Sequence, residues 1–395
     1  MHKDLPFPFR DPACIWDMSR LGEPPQVRRW PSGFGCDATP ILIEGEPWRG
    51  RPTWCFAYYG VPDWATPDNP APGIVLVHGG RGTAYPGWVR LWVRRGYAAI
   101  CVDTCGALPV PTAENEWLAN PEGGPQGWGR IECADEPERE QWTYHAVAAA
   151  IRSHSFLRSL PNVDSRHVGL TGISWGGILA CILAAADPRF AYAAPVYGCG
   201  FNYERPYWIE GHDDSAMVKW GALWDPVVSL PHAHCPMLWV DGTNDFAFAL
   251  SRVRRSAALA PVPHAFSTHL RMAHGHGGPG EGPREILAFA DHFARGGADV
   301  VRISECRHAH GRVEAPFDAG GRTVARAELL WTEDGPEVEW SERLWQAKAV
   351  EAFNAASGLA SAPLPGNAFA WVVNLVTDDG LVFSSPYEDR DIQRP

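Results

Sequence analysis

Lysine is scarce in this chain of 395 residues: Lys3, Lys219 and Lys348 are all it has, and 34 basic residues face 46 acidic ones for a net charge of −12. An acidic surface repels phosphate backbones, which sets nucleic acid aside as a partner. No apolar run approaches the roughly 18 residues of a membrane span. In the opening MHKDLPFPFR, Pro6 and Pro8 break up the short hydrophobic stretch that a secretory leader would need. A cytoplasmic protein with no membrane partner is expected. The ten cysteines include no C-x-x-C pair. Cys101, Cys181, Cys199 and Cys235 sit in or beside apolar stretches, as reduced structural thiols do. Internal repeats and low-complexity runs are missing, and the glycine-rich stretch His78-Gly79-Gly80-Arg81-Gly82 lacks the Lys-Ser/Thr of a P-loop and the G-x-G-x-x-G spacing.

What is present is a chain 45% hydrophobic, long enough for about two domains. Residues 1–70 are rich in Pro, Gly and Trp, and carry short β-prone pieces such as ILIEG and TWCFAYYG; they read as a strand-bearing lead-in. Between 71 and 297, short apolar runs alternate with helical stretches. GIVLVHGG, GYAAICVD, HVGLTGIS, FAYAAPVYG, CPMLWVDG and HAFSTHLRM predict strands. The stretch from Gln141 to Leu160 contains neither Gly nor Pro and predicts a helix, as do WGGILACILAAAD, FAFALSRVRRSAALA and GPREILAFADHFARG. Fully apolar strands alternating with helices imply an α/β fold with a mainly parallel sheet covered on both faces. From 298 to 395, ARAELLWTED, FAWVVNLVTDDG and LVFSSP alternate apolar and polar positions, the pattern of a small antiparallel β-sandwich. That tail reads as auxiliary to whatever the core does.

The strongest chemical signal is Gly172-Ile173-Ser174-Trp175-Gly176, a G-x-S-x-G between a strand and a helix, where a sharp turn lifts the serine hydroxyl clear of the sheet. A serine needs a base to take its proton and an acid to hold that base, in the order Ser, acid, His along such a chain. CPMLWVDG runs into Gly242-Thr243-Asn244-Asp245, which puts Asp245 in the loop at a strand's carboxyl end; Asp241, within the strand end, is the weaker choice. The next strand leads to Ala273-His274-Gly275-His276. His274 is the preferred base and His276 the alternative. A tetrahedral intermediate also needs two donors for its oxyanion. The backbone N–H of Trp175 is one; Gly80 or Arg81 of His78-Gly79-Gly80-Arg81-Gly82, after the first core strand, is the other. His232/His234 and His308/His310 read as solvated loop histidines, so neither a metal nor an organic cofactor is expected.

With those residues in place the chain resembles the α/β-hydrolase superfamily, and more narrowly the acetyl xylan esterase and dienelactone-hydrolase-like bacterial esterases. The resemblance lies in PGIVLVHGGRGTAY, RRGYAAICVD, GLTGISWGG, RFAYAAPVYGCGF, PMLWVDGTNDFAF and RMAHGHGG, and spans roughly residues 45 to 295. It implies Ser174 as nucleophile, Asp245 as acid and a base in AHGHG. Dienelactone hydrolases proper carry a cysteine nucleophile, and the serine here turns the expectation toward a serine esterase.

Two long segments, 104–140 and 198–234, leave strand carboxyl ends, where ligands bind in open α/β sheets. They hold Trp117, Trp128, Tyr203, Tyr207, Trp208, Trp220 and Trp224. Of these, Trp128, Trp208, Trp220 and Trp224 are the expected substrate contacts, since a polar, aromatic roof suits a sugar ring better than a long acyl chain. The expectation is a serine carboxylesterase removing small acyl groups, acetyl above all, from a small-molecule or oligosaccharide ester. A broad aryl or feruloyl esterase, a peptidase-like hydrolase and an inactive scaffold used for binding are the alternatives.

Overall fold

The computed structural model describes residues 6–30, 38–114, 116–204, 213–350, 352–354 and 357–391. The lead-in supplies a short helix α1 (Met18–Leu21) and the antiparallel strands β1 (Val27–Arg29), β2 (Thr39–Glu44) and β3 (Trp54–Gly60). The apolar runs then become β4 (Ala71–Val77), helix α2 (Pro86–Arg94) and β5 (Ala98–Val102). A small hairpin, β6 (Ala107–Pro111) and β7 (Trp117–Ala119), stands apart from the main sheet. Helix α3 (Trp142–Ser159) is buried along nearly its whole length, as a helix apolar on most sides must be. It is followed by β8 (Val163–Ile173), α4 (Trp175–Ala186), β9 (Ala193–Val196), α5 (Asp214–Trp224), α6 (Pro226–Ser229) and β10 (Met237–Gly242). Helix α7 (Leu250–Leu259), β11 (His264–His269) and α8 (Arg284–Arg295) complete the core.

Strands β5, β4, β8, β9, β10 and β11 run parallel in that spatial order, and their apolar side chains are almost wholly buried. The carboxyl ends of β4, β8, β10 and β11 therefore open on one rim, the place where a ligand site is expected in such a sheet.

One expected helix starts late. FAFALSRVRRSAALA predicts helix from Phe246, yet α7 begins at Leu250. The Asp245 carboxylate accepts the N–H groups of Ala247 and Phe248 through Oδ1, both at 2.8 Å, and this local turn competes with the helix.

The tail is antiparallel β, as its alternation implies. Strands β12 (Arg302–Ile303), β13 (Arg307–Ala309), β14 (Arg312–Asp318), β17 (Ala352–Asn354) and β18 (Leu359–Pro363) form one sheet. Strands β15 (Val324–Thr332), β16 (Trp345–Ala349), β19 (Ala370–Thr377), β20 (Val382–Ser384) and β21 (Glu388–Asp389) form the other. This second layer is hydrogen-bonded to the core: β20 pairs with β11 at Phe266 and Ser384, and the path from β1 to β16, with β21 paired beside β19, is one 14-stranded sheet. A polar seam reinforces the joint, with Ser384 Oγ accepting from the N–H of Thr268 at 2.7 Å and Asn374 Nδ2 donating to the Thr268 carbonyl at 3.0 Å.

The nine described cysteines are unbridged, and Cys101, Cys181, Cys199 and Cys235 are buried. Among the described residues no helix is long and apolar enough to cross a membrane.

Candidate active site

Strand β8 delivers Ser174 at φ 58° and ψ −118°, left-handed territory that a non-glycine residue enters at a cost of about 1–3 kcal/mol. The flanking glycines make that turn possible. A Cβ on Gly172 would lie 2.0 Å from the Gly176 carbonyl oxygen, and one on Gly176 would lie 2.0 Å from that of Val77. The Ser174 N–H donates to Val196 O at 3.0 Å, which ties the strained residue to β9, while α4 starts at the next position. The hydroxyl-bearing residue thus stands at the positive end of α4.

Asp245 lies just beyond β10, buried, with Oδ1 on its two backbone donors and Oδ2 at 2.6 Å from His274 Nδ1. Since Oδ2 accepts, Nδ1 carries the proton and Nε2 of His274 is left as a base. The imidazole stacks on Tyr197 at 4.3 Å and meets the tilted ring of Phe246 at 4.5 Å. The Tyr197 hydroxyl both donates to the Gly275 carbonyl at 2.8 Å and accepts from the Gly275 N–H at 3.1 Å, fixing the loop between the two candidate histidines. Asp241 is buried and apart from either histidine; burial, beside the charge of Asp245, raises its carboxyl well above the usual range. Of the two acids weighed from sequence, Asp245 is the one brought to an imidazole.

His276 faces a different way. Its Nε2 accepts the N–H of Gly79 at 3.0 Å and its Nδ1 donates to Glu281 Oε1 at 3.0 Å, with Tyr85 packed on the ring at 4.4 Å. It holds the loop after β4 instead of facing the serine. His78, at the head of that loop, is buried and bridges strand ends: Nδ1 donates to Gly79 O at 2.8 Å and Nε2 accepts from the Thr104 N–H at 3.0 Å. Burial pulls its pKa down to about 3, so it stays neutral. In this loop the Gly79 N–H is given to His276 and that of Gly82 to Gly79 O.

Ser174, Trp175, Gly80, Arg81 and His274 line one cavity of about 240 Å³ together with Trp128 and the aromatic turn Phe246-Ala247-Phe248. A second cavity of about 390 Å³ shares Arg81 and Trp128 with the first and continues along Glu114, Glu116 and Trp117. Trp128 therefore sits where a substrate contact was expected, as the common wall of both spaces. Trp220 and Trp224 do not. Each is about 1% exposed and lines neither cavity. Trp220 packs edge-on to Trp175 at 5.8 Å and so backs a residue of the cavity wall, whereas Trp224 packs against Trp16 at 5.8 Å and its Nε1 donates to Gln141 Oε1 at 2.6 Å. Trp208 and Tyr207 lie outside the described residues. Phe246 and Phe248, which line the smaller cavity, were hidden in the segment expected to be helix. Among the described residues no group of three or more His, Cys, Asp or Glu is arranged to hold a metal ion.

Residues 57–282 match the family described as the dienelactone hydrolase family, more than half of the chain. Among solved structures, an acetyl xylan esterase from Paenibacillus sp. R4 superposes with a TM-score of 0.57 at 19% identity, covering 73% of this chain and 96% of that one. Acetyl xylan esterase 1 from Thermoanaerobacterium sp. JW/SL YS485 does so at 0.54 and 16% identity, covering 73% and 94%. At these identities the likeness is one of fold. A search of curated protein sequences returns no match. Fold, strand-end site and family match agree: the chain is an α/β-hydrolase-fold hydrolase and belongs to the dienelactone hydrolase family.

Proposed function

We propose that the protein is a serine carboxylesterase working through an acyl-enzyme, with Ser174 as nucleophile, His274 as base and Asp245 as acid. The observation that carries the reading is the 2.6 Å bond from His274 Nδ1 to a buried Asp245, with His274 lining the same cavity as the strained Ser174. In this arrangement His274 Nε2 takes the proton as the Ser174 hydroxyl attacks the ester carbonyl, and returns it to the departing alcohol. Asp245 keeps the tautomer and offsets the charge of the imidazolium. The developing oxyanion is met by the Trp175 N–H at the start of α4, and by Gly80 or Arg81. Water then enters by the same base and releases the acid.

For the substrate we favour small acyl esters, acetyl first, of a carbohydrate or similar polyol. The support is the division of space: a small, largely aromatic cavity at Ser174, and a larger, more polar one holding Glu114, Glu116 and Trp117 beyond Arg81. Carboxylates that accept from hydroxyls, beside indole faces, suit a sugar leaving group. An aromatic acyl group is the second reading, favoured by Phe246, Phe248 and Trp128 around Ser174. The test is acetate release from acetylated xylo-oligosaccharides, run beside Ser174→Ala and with nitrophenyl acetate as a generic ester. Release that vanishes in the variant supports a carbohydrate deacetylase. Turnover of nitrophenyl or feruloyl esters alone moves the reading to the aryl class, and failure of an active-serine phosphonate to label Ser174 ends it.

A further inference from the structure

We infer that the carboxy-terminal region is a working part of the active site, because residues 340–343 grip the loop that carries Asp245 and make Trp340 and Asn244 positioning residues for the acid. The inference rests on the Ser174, His274, Asp245 reading. The contacts are specific. Trp340 Nε1 donates to the backbone carbonyl of Asp245 at 2.8 Å. Next door, Asn244 Nδ2 donates to the carbonyls of Ser341 and Arg343, each at 2.8 Å, while its Oδ1 accepts from Thr243 Oγ1 at 2.9 Å. Both hydrogens of one amide and the only polar atom of one indole are thus spent across the joint between core and tail.

The gripping segment is itself held. The Leu344 N–H donates to Asp334 Oδ2 at 2.6 Å, Arg343 Nε donates to Val338 O at 3.2 Å, and the Arg343 guanidinium lies 5.1 Å from the Phe369 ring. From the core side, the Arg252 guanidinium of α7 lies 5.2 Å from the Trp340 ring. The acid loop is therefore fixed twice: inward by the Asp245 carboxylate on Ala247 and Phe248, outward by the tail. The base of the loop is pinned separately by Thr243, whose N–H donates to His269 O and whose Oγ1 accepts the Arg271 N–H, each at 3.0 Å; the outer bonds act further along, at Asn244 and Asp245, where a displacement of about 1 Å at a catalytic group can cost about 100-fold in rate. The same tail residues form one wall of a groove of about 460 Å³ whose other wall includes Phe246, Arg271 and His274. The segment from Ser341 to Leu344 thus borders the site it steadies.

The test uses the full-length chain with nitrophenyl acetate. Trp340→Phe keeps the ring and removes the donor, and Asn244→Ala removes the other two. Each is expected to lower kcat about tenfold with KM within about twofold, and the pair together about 100-fold. The downfield proton resonance of the His274–Asp245 bond should broaden or disappear in the double variant, a signature that a loss of general stability would not produce in a protein still folded. If Trp340→Phe loses its fold, Asn244→Ala reads the same joint from the neighbouring residue. Wild-type kcat together with an intact downfield resonance in the folded variants would overturn the inference. Asp245→Asn in the same assay separates the two claims: wild-type kcat there overturns the triad reading and the grip with it, whereas a collapsed Asp245→Asn beside unaffected Trp340→Phe and Asn244→Ala overturns the grip alone.

Discussion

His274 and His276 stand on one loop with a single glycine between them, and each presents Nδ1 to a carboxylate, 2.6 Å from Asp245 for the first and 3.0 Å from Glu281 for the second. Residue types and pairing are alike; what differs is the other nitrogen. Nε2 of His274 belongs to a ring that lines the cavity with Ser174, while Nε2 of His276 is already occupied by the Gly79 N–H. On the proposed mechanism the first pair moves a proton. The other, its lone pair committed to an amide, braces the loop that carries Gly80 and Arg81. A histidine and a carboxylate in contact therefore do not by themselves mark a base; the vacancy at the second nitrogen does.

This contrast can be broken by substitution. His274→Ala should lower kcat by about 10⁴-fold, since the serine loses its base. His276→Ala should cost about 10- to 100-fold, because it releases the neighbour of an oxyanion donor without removing a donor. Stopped assays on folded protein would show it, and equal losses at the two positions would erase the distinction. Glu281→Gln, which can still accept from His276 Nδ1, should cost only a few-fold. The smallest effect concerns the third imidazole. With its pKa near 3 by burial, His78 should show an NMR ring signal that does not move between roughly pH 8 and 5. Its folded form is neutral, so its contribution to stability is intact above the unfolded value near 6.5 and is lost as pH falls from there toward 3. A His78 signal that titrates near pH 6 would place a charge behind the oxyanion loop and overturn the neutral state of this imidazole.

Much of this arrangement was legible from residues alone, for reasons that differ. The elbow was legible because only glycine can stand at 172 and 176 when backbone oxygens lie 2.0 Å from a would-be Cβ. Asp245 was legible because an apolar strand ends just before it. Sequence preferred His274 and kept His276 as the alternative; what distinguishes the two rings in the structure is an amide at Gly79 on another strand end. Trp220 and Trp224 were misplaced because tryptophan chemistry suits both a buried core and a cavity wall, and helix α5 turns them inward, Trp220 onto Trp175 and Trp224 onto Trp16. The aromatic turn at Phe246 was hidden by its resemblance to the start of a helix. An aspartate whose carboxylate can take the next backbone donors was the available sign. Trp340 had no sign at all: its partner lies 95 positions earlier.

The seam between β11 and β20 has a consequence for solubility. A parallel strand at the margin of a sheet offers a row of unused backbone donors and acceptors to any other chain, and natural proteins cover such margins. Here the tail covers it, laying β20 and then β19, β15 and β16 beyond β11. A chain ending near residue 297 would leave that margin bare in every copy. Self-association that grows with concentration is the expected behaviour of such a fragment, and light scattering beside the full-length chain would measure it.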